Sequence, residues 1–201
     1  YMLARINTEE TTMRMIQALS KYLRLSLSKG NDIVTVEDEL ENVKSYMEIQ
    51  QIRNQDLFSY EIDCQVDAAN THVLKLVLQP LVENAVKYGF QDIFSGGRIV
   101  IRIRREEGAL CLSVSNNGTP IEQSMMEKIN EMNHLPVTEL KNWFPDKKHG
   151  YGVVNILTRL RLKYGCGATF YCQAEQNGTT CTIKIPEEAR EKRDEQNGER
   201  K

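Results

Sequence analysis

The sequence predicts an α/β domain preceded by an antiparallel helical hairpin, and three patterns indicate this. Apolar residues between positions 8 and 53 recur at helical spacing, with one break at Lys29-Gly30-Asn31. Near Phe58 the spacing changes to the alternation that is typical of strands. Further along, two pairs of alternating segments are each joined by a short turn, which predicts two β-hairpins separated by helices.

The helical hairpin is predicted from residues 8 to 53. Its first helix extends from Thr8 to Ser28, where the apolar residues Ile16, Leu19, Leu23 and Leu27 follow one face. Its second helix begins after Thr35, a good N-cap residue, with Asp38 at the capping-box position. Both helices carry apolar faces, so the hairpin needs another part of the protein to cover them.

The strands are predicted from alternation and from turn residues. FSYEIDC, which begins at Phe58, is a short strand, and RIVIRIRR and ALCLSVS form a hairpin across Glu106-Glu107-Gly108. ATFYCQAE and TTCTIKI flank Gln176-Asn177-Gly178, and Asn-Gly is the strongest short hairpin signal. These segments place most of the predicted sheet after residue 97.

Three further helices are predicted, from Leu74 to Tyr88, near Glu122 to Met132, and from about Tyr151 to Tyr164. Before the last of these, NHLPVTELKNWFPDKKHG combines two prolines, three lysines and the only tryptophan. A connection this long inside a compact domain predicts a mobile lid, at residues 133 to 149. The last sixteen residues carry eleven charges and predict a solvated tail.

Composition narrows the class of protein. A chain of 201 residues with 40% apolar residues, 27% charged residues and a net charge of −2 has the profile of a globular protein with no electrostatic case for binding nucleic acid. No apolar segment is long enough to span a bilayer, and the opening YMLARINTEE indicates a piece of a longer protein. The five cysteines form no C-x-x-C pair, so we interpret them as reduced thiols without a chemical role.

LQPLVENAVKYGF, residues 78 to 90, places three polar side chains beside a buried helical face. Glu83, Asn84 and Lys87 offer an acid, an amide and a cation close together on one helix surface. They are typical of a solvated helix edge, but also of a site for Mg²⁺ and a phosphate chain. The local pattern leaves both interpretations open.

HGYGVVNILTRL, which begins at His149, carries a second signal. Gly150 and Gly152 precede a helix, where free backbone N–H groups bind anions, and Lys147 and Lys148 lie just upstream. A glycine-rich turn at the edge of a lid explains the two glycines equally well. A dinucleotide-binding turn is disfavoured, because no strand precedes the glycines and Asn155 replaces the third one.

A third signal is the turn Asn116-Asn117-Gly118 at the end of a predicted strand. Taken in order, E-N-x-x-K on a helix, this turn, a long lid and G-x-G at a helix start resemble the N box, G1 box and G2 box of the Bergerat ATP-binding fold. That fold defines the GHKL class, which includes DNA gyrase, MutL and the histidine kinases. The resemblance implies a two-layer α/β sandwich.

Within that class the chain resembles sensor histidine kinases of the LytS type. LQPLVENA, residues 78 to 85, matches a hallmark of that family, and MIQALSKYLRLSLS followed by VTVEDELENVKSYMEIQQIR resembles its helical pair. The resemblance covers about residues 10 to 186. It implies phosphoryl transfer from ATP to a histidine and then to a response regulator, in which positioning and charge neutralisation do most of the work.

The resemblance also implies roles for individual residues. Asn84 would be the Mg²⁺ ligand, Glu83 would polarise the γ-phosphate side of the site, and Lys87 with the backbone amides of residues 150 to 152 would hold the phosphates. Arg159 occupies a position that the family also keeps. The expected nucleotide-binding residues are Lys87, Tyr88, Asn116, Gly118, Lys148, His149, Gly150, Tyr151, Gly152, Val153 and Asn155.

Two departures from the family pattern are visible. Asn116 stands where an aspartate usually receives the adenine amino group, and Pro120 stands where a second glycine is common. The phosphoacceptor motif is also missing, since none of the histidines at 72, 134 and 149 has its context.

The resemblance further implies an organisation and a set of partners. Residues 1–56 would be the C-terminal part of the dimerisation and phosphotransfer helices, 57–186 the ATP-binding domain and 187–201 a charged tail. Partners would be ATP with Mg²⁺, a response regulator and, in the full-length protein, a second copy. This segment would be a cytoplasmic domain of a membrane-bound bacterial sensor and would not itself contact the membrane. A GHKL ATPase and a degenerate nucleotide-binding docking module are the alternatives.

Overall fold

The computed structural model describes residues 8–27, 32–54, 56–140, 142–144 and 151–188, apart from the side chains of residues 8 and 151. Its helices are α1 (Thr8–Leu27), α2 (Val36–Arg53), α3 (Gln79–Gly89), α4 (Gln123–Glu131), α5 (Val137–Leu140) and α6 (Tyr151–Tyr164). Its strands are β1 (Ile33–Thr35), β2 (Phe58–Cys64), β3 (His72–Leu74), β4 (Gly97–Glu106), β5 (Ala109–Asn117), β6 (Thr169–Glu175) and β7 (Gly178–Pro186). The predicted break at 29–31 and the tail from 189 onward lie outside the described residues.

Five strands form one mixed sheet in the order β2-β4-β5-β7-β6. β2 and β4 are parallel, whereas the two predicted hairpins, β4–β5 and β6–β7, are antiparallel. Helices α3, α4 and α6 contact the sheet and form the second layer. This arrangement confirms the predicted two-layer α/β sandwich.

The core lies between the sheet and the helices. Alternate residues of the central strands face it and are almost fully buried, because successive side chains of a strand point to opposite faces. These are Ile99, Ile101 and Ile103 of β4, Leu110, Leu112 and Val114 of β5, and Ile183 and Ile185 of β7. Asn116 continues the β5 series on the same face, at the end of the strand.

The predicted helical hairpin is also confirmed, and its second helix packs on α3. Thr35 caps α2 by accepting a hydrogen bond from the backbone N–H of Asp38 at 3.1 Å. β1 pairs with β3, so the connection between the two helices is tied to the segment that precedes α3. In the part of the chain that the structure describes, no helix is long and apolar enough to cross a membrane.

The prediction that the third helix begins at Leu74 was wrong, because α3 begins at Gln79. Leu74 lies in β3, and Leu76 has a φ angle of 55°, which is incompatible with a right-handed helix. Pro80 occupies the first turn of α3, the only helical turn that tolerates proline without loss of a hydrogen bond. The apolar periodicity upstream of Gln79 reflects burial rather than helix.

The prediction of a lid over residues 133 to 149 is contradicted for its first part. Residues 132–134 form a 3₁₀ turn, and α5 places Leu140 in the core with no exposed surface. The Arg161 guanidinium of α6 donates hydrogen bonds to the carbonyl oxygens of Asn133 and Leu135. Buried apolar contacts and these bonds hold the segment in place. Residues 141 and 145–149 of the predicted lid lie outside the described residues.

Candidate functional site

A cavity of about 600 Å³ lies between the end of the sheet and helices α3, α4 and α6. Ligand sites for small molecules commonly fall between ~300 and 1,000 Å³, so this cavity has room for a nucleotide. Its lining includes Leu81, Glu83, Asn84, Ala85, Lys87, Tyr88, Gly89 and Gln91 from α3 and the residues after it. The opposite side includes Val114, Asn116, Thr119, Pro120, Ile121, Met125, Ile129, Gly152, Val153, Cys172, Thr179 and Cys181.

Helix α3 presents Glu83, Asn84 and Lys87 to this cavity. Glu83 and Asn84 are half-buried and Lys87 is exposed, and all three line the cavity wall. The Lys87 ammonium lies 4.8 Å from the centroid of the neighbouring Tyr88 ring. Of the two interpretations that the helix pattern left open, this geometry favours a binding site over a solvated edge.

Asn116 faces the cavity from the sheet and is the polar end of an otherwise apolar series. It is 7% exposed, and its Nδ2 has no hydrogen-bond partner among the described residues. The backbone of α3 passes close by, since a Cβ added at Gly89 would lie 2.3 Å from that Nδ2. A buried unpaired donor is unfavourable, so this amide fits a ligand acceptor in the cavity.

Gly118 is placed beside the cavity rather than on its wall. A Cβ at this position would lie 2.1 Å from the carbonyl oxygen of Gly89, and the next residue, Thr119, donates its N–H to the same oxygen at 2.9 Å. Gly118 therefore allows the strand end to close against the C-terminus of α3. Through this contact it shapes the cavity.

The start of α6 contributes part of the predicted G2 box. Gly152 and Val153 line the cavity, whereas Asn155 is exposed and is not part of the lining. The predicted site residues Lys148, His149 and Gly150, together with the side chain of Tyr151, lie outside the described residues.

The sequence motifs did not identify the apolar wall of the cavity. Met125 and Ile129, one turn apart on α4, form it together with Ile121 and two residues of the β6–β7 hairpin, Cys172 and Cys181. The i, i+4 apolar pair of α4 was the available signal, but it is typical of any helix packed on a core.

The cysteines of this wall remain thiols. Cys172 lies directly opposite Cys181 across the strands, and all five cysteines of the chain are free. A hydrogen bond with Cys181, together with burial, raises the pKa of the Cys172 thiol well above its ordinary value. Because the thiolate is the reactive form, this agrees with the interpretation of Cys172 as a thiol without a chemical role.

A buried carboxylate from the hairpin holds the N-terminus of α3. Glu39 of α2 accepts hydrogen bonds from the backbone N–H groups of Leu76, Val77 and Leu78, the last two at 2.9 and 3.2 Å. Arg159 of α6 donates to the carbonyl oxygens of Lys75 at 2.6 Å and Leu76 at 3.5 Å. Burial raises the pKa of Glu39, while the three N–H groups and the charge of Arg159 oppose that shift. Arg159 thus positions the cavity-lining helix.

The sheet order, the helical layer and the cavity between them define a nucleotide-binding domain of the GHKL class. The family model for histidine kinase-, DNA gyrase B- and HSP90-like ATPases matches residues 69–189, and a histidine kinase model matches residues 1–58. The chain belongs to the family of histidine kinase-, DNA gyrase B- and HSP90-like ATPases. The resemblance seen in the sequence is confirmed.

Curated relatives agree with this assignment. The chain is 31% identical over 191 residues to the sensor protein LytS of Streptococcus agalactiae and 28% identical over 186 residues to the sensor histidine kinase YesM of Bacillus subtilis. These matches cover 94% and 92% of the chain, but only 31% and 29% of the two relatives. The chain therefore corresponds to less than a third of either protein.

Solved structures show the same fold. The catalytic domain of histidine kinase ThkA aligns with a TM-score of 0.55 at 21% identity, covering 77% of this chain and 94% of that domain. ThkA in complex with the response regulator TrrA aligns with a TM-score of 0.54 at 17% identity, covering 89% of this chain and 48% of that one. At this level of identity the likeness concerns the fold.

Proposed function

We propose that the chain is the ATP-binding catalytic part of a two-component sensor histidine kinase, which transfers the γ-phosphoryl group of ATP to a histidine. The observation that carries this proposal is the convergence of Glu83 and Asn84 from α3 with the unpaired amide of Asn116 on one cavity. The family assignment and the names of the relatives support it.

In this proposal each polar residue has a separate task. Asn116 recognises the adenine base through hydrogen bonds at the buried end of the cavity. Lys87 and the N-terminus of α6 attract the phosphates. Asn84 supplies an oxygen ligand for Mg²⁺, and Glu83 polarises the γ-phosphate side. The metal neutralises phosphate charge when it is bound.

The composition of the site agrees with a metal that arrives with the substrate. Among the described residues no group of three or more histidine, cysteine, aspartate or glutamate side chains could hold a metal ion. Mg²⁺ in phosphoryl-transfer sites usually has one or two protein ligands and keeps phosphate oxygens and water as the others. A single amide oxygen from Asn84 fits that pattern.

The proposed partners follow from the similarity to histidine kinases. The phosphoryl group would pass from the histidine to an aspartate of a response regulator, as the complex of ThkA with TrrA suggests for this fold. Residues 1–56 would belong to the dimerisation and phosphotransfer helices, and residues 57–186 to the catalytic domain. The names of the relatives support a sensor. In the proposal this segment is the cytoplasmic part of a membrane-bound protein.

Binding of Mg²⁺ with a nonhydrolysable ATP analogue, measured by calorimetry, tests the proposal. We expect saturable binding that requires the metal, and no label on the chain after incubation with radiolabelled ATP, because the acceptor motif is absent. Steady ATP hydrolysis would instead indicate an ATPase, and failure to bind would indicate a docking module. An acid-labile, base-stable label on the chain would show that a phosphoacceptor histidine lies within this chain after all.

Replacement of Asn116 by aspartate should strengthen the preference for ADP over GDP. A carboxylate only accepts hydrogen bonds, so it suits the adenine amino group and faces the guanine O6 without a proton between them. The asparagine amide presents either its carbonyl or its NH₂ group, and its Nδ2 is the unpaired atom. An unpaired buried acceptor costs about 1–3 kcal/mol, so selectivity should change by about tenfold or more.

Dissociation constants of ADP and GDP for Asn116→Asp and for the unchanged chain decide this prediction. If the preference for ADP over GDP is equal or weaker in the aspartate variant than in the unchanged chain, residue 116 does not hydrogen-bond to the base.

The outer face of α1 supports the proposal of a homodimer in the full-length protein. Five large apolar side chains are 44–78% exposed along this helix, namely Met13, Ile16, Leu19, Leu23 and Leu27. Their spacing makes one stripe on the side of α1 that α2 leaves uncovered. A second copy would bury this stripe against its own, as in a four-helix bundle.

Ile16→Glu should therefore weaken the dimer. A charge in the middle of a buried apolar stripe should raise the dissociation constant of the full-length dimer by about tenfold or more, measured by sedimentation equilibrium. Gln17→Glu, an exposed neighbour outside the stripe, is the control. Equal dimer stability for both variants would contradict this interface.

A further inference from the structure

A chain of hydrogen bonds runs from the helical hairpin into α3 and ends on Glu83. Ser26 Oγ donates to Asn42 Oδ1 at 3.3 Å, and Asn42 Nδ2 donates to Gln79 Oε1 at 2.8 Å. Gln79 Nε2 then donates to Glu83 Oε1 at 2.6 Å and also to the hydroxyl of Tyr22. The chain joins α1, α2 and α3, and the residue at its end lines the cavity.

The donors and acceptors of this chain are consistent with only one orientation of Gln79. A reversed amide would turn Oε1 toward the Glu83 carboxylate, which is a pair of acceptors, whereas the hydroxyls of Ser26 and Tyr22 can donate or accept. Asn42 and Gln79 are 2% and 8% exposed, so solvent cannot replace lost partners. The hairpin residues Asn42 and Tyr22 therefore supply the remaining partners that hold Gln79 in place.

Gln79 in turn contacts Glu83 one helical turn along α3, where i, i+4 side chains meet. Gln79 itself does not line the cavity among the described residues, whereas Glu83 does. The hydrogen bond to the Glu83 carboxylate therefore connects Gln79 to the cavity wall.

The charge of Glu83 also reaches the tyrosines of the hairpin. Burial, and then the Glu83 charge, raise the pKa of Tyr46 to about 12, and the same two causes raise the pKa of Tyr22. The two rings lie 6.3 Å apart. Both hydroxyls thus keep their protons at neutral pH, and Tyr22 accepts from Gln79 as a neutral group.

We propose that Gln79 is a positioning residue for Glu83, and that the helical hairpin sets its position through Tyr22 and Asn42. The inference rests on the proposed function, in which Glu83 acts on the γ-phosphate side. A displacement of α1 relative to α3 removes the Tyr22 contact and frees Gln79 to move. The carboxylate of Glu83 then turns, while the residues that hold the nucleotide keep their places.

Gln79→Leu and Tyr22→Phe in the full-length protein test this inference, with two measurements for each variant. The first is the rate of autophosphorylation at saturating ATP, and the second is the dissociation constant of the Mg²⁺ complex of a nonhydrolysable ATP analogue. We expect Gln79→Leu to lower the rate by about ten- to a hundredfold, because small errors in position have large effects on transfer, while affinity changes by less than about twofold. Tyr22→Phe, which removes one hydroxyl and preserves the ring, should act in the same direction with a smaller effect.

A double variant separates positioning from general damage to the structure. If Gln79 acts through Glu83, then Gln79→Leu combined with Glu83→Gln should be no slower than Glu83→Gln alone. Arg14→Gln breaks the exposed ion pair between Arg14 and Glu48 in the same hairpin and should leave rate and affinity unchanged.

Additive losses in the double variant, or equal losses of rate and affinity in Gln79→Leu, would overturn this inference alone. An unchanged protein that neither binds the analogue nor transfers phosphate would overturn the proposed function, and the inference with it.

Discussion

Replacement of Glu39 by alanine should lower the free energy of unfolding by about 3–5 kcal/mol, the range expected when one partner of a buried charged interaction is removed. Glu39 is 2% exposed and accepts from the backbone N–H groups of three residues just before α3. In the variant these donors lose their acceptor, and the positively charged guanidinium of Arg159 loses a nearby negative charge. The connection between the hairpin and α3 should loosen first.

Chemical denaturation of the variant and of Glu41→Ala gives a matched comparison on the same helix. Glu41 forms two ion pairs, with Lys21 and Lys44, but all three side chains are at least one-third exposed. Solvent screens such pairs, and each contributes about 0–1 kcal/mol. If Glu39→Ala is no more destabilising than Glu41→Ala, the buried carboxylate of Glu39 does not hold the segment before α3.

Replacement of Asn84 by alanine should reduce affinity for nucleotide much more in the presence of Mg²⁺ than in its absence. In the proposed site, loss of the amide oxygen would leave the metal short of a ligand, whereas the contacts to the base would be unchanged. Even residues that only hydrogen-bond to metal ligands contribute about 10–100-fold to metal affinity. We therefore expect nucleotide affinity in the presence of Mg²⁺ to fall by at least about tenfold.

Calorimetry with and without Mg²⁺ measures this difference directly. Asn84→Asp keeps an oxygen at the same position and should restore most of the metal-dependent affinity, because carboxylates are good Mg²⁺ ligands. Equal losses with and without the metal in Asn84→Ala would mean that Asn84 stabilises the helix and does not hold the ion.

The sequence alone predicted the elements whose signal is local. The strand from Phe58 to Cys64 and the helix from Tyr151 to Tyr164 have the predicted bounds, because each carries a complete period of alternation or of helical spacing. The Asn-Gly turn between β6 and β7 needs only a few neighbouring residues to specify it. The order of the three boxes then identified the family. Asn116 was predicted in a turn, but the structure places it within β5, on the core-facing side of the sheet.

Only the tertiary structure decided where α3 begins and what holds it. Leu74 continues a helical pattern of apolar residues, but its backbone pairs with Ile33 in a neighbouring strand. The carboxylate that holds the segment before α3 belongs to Glu39, which lies 37 residues before Leu76, and one partner of Gln79 is Asn42, also 37 residues away. Apolar spacing reports which face of a segment is buried, but it carries no information on which distant group satisfies its polar atoms. Those partners exist only once the chain has folded back on itself, and they hold the helix that carries Glu83 and Asn84.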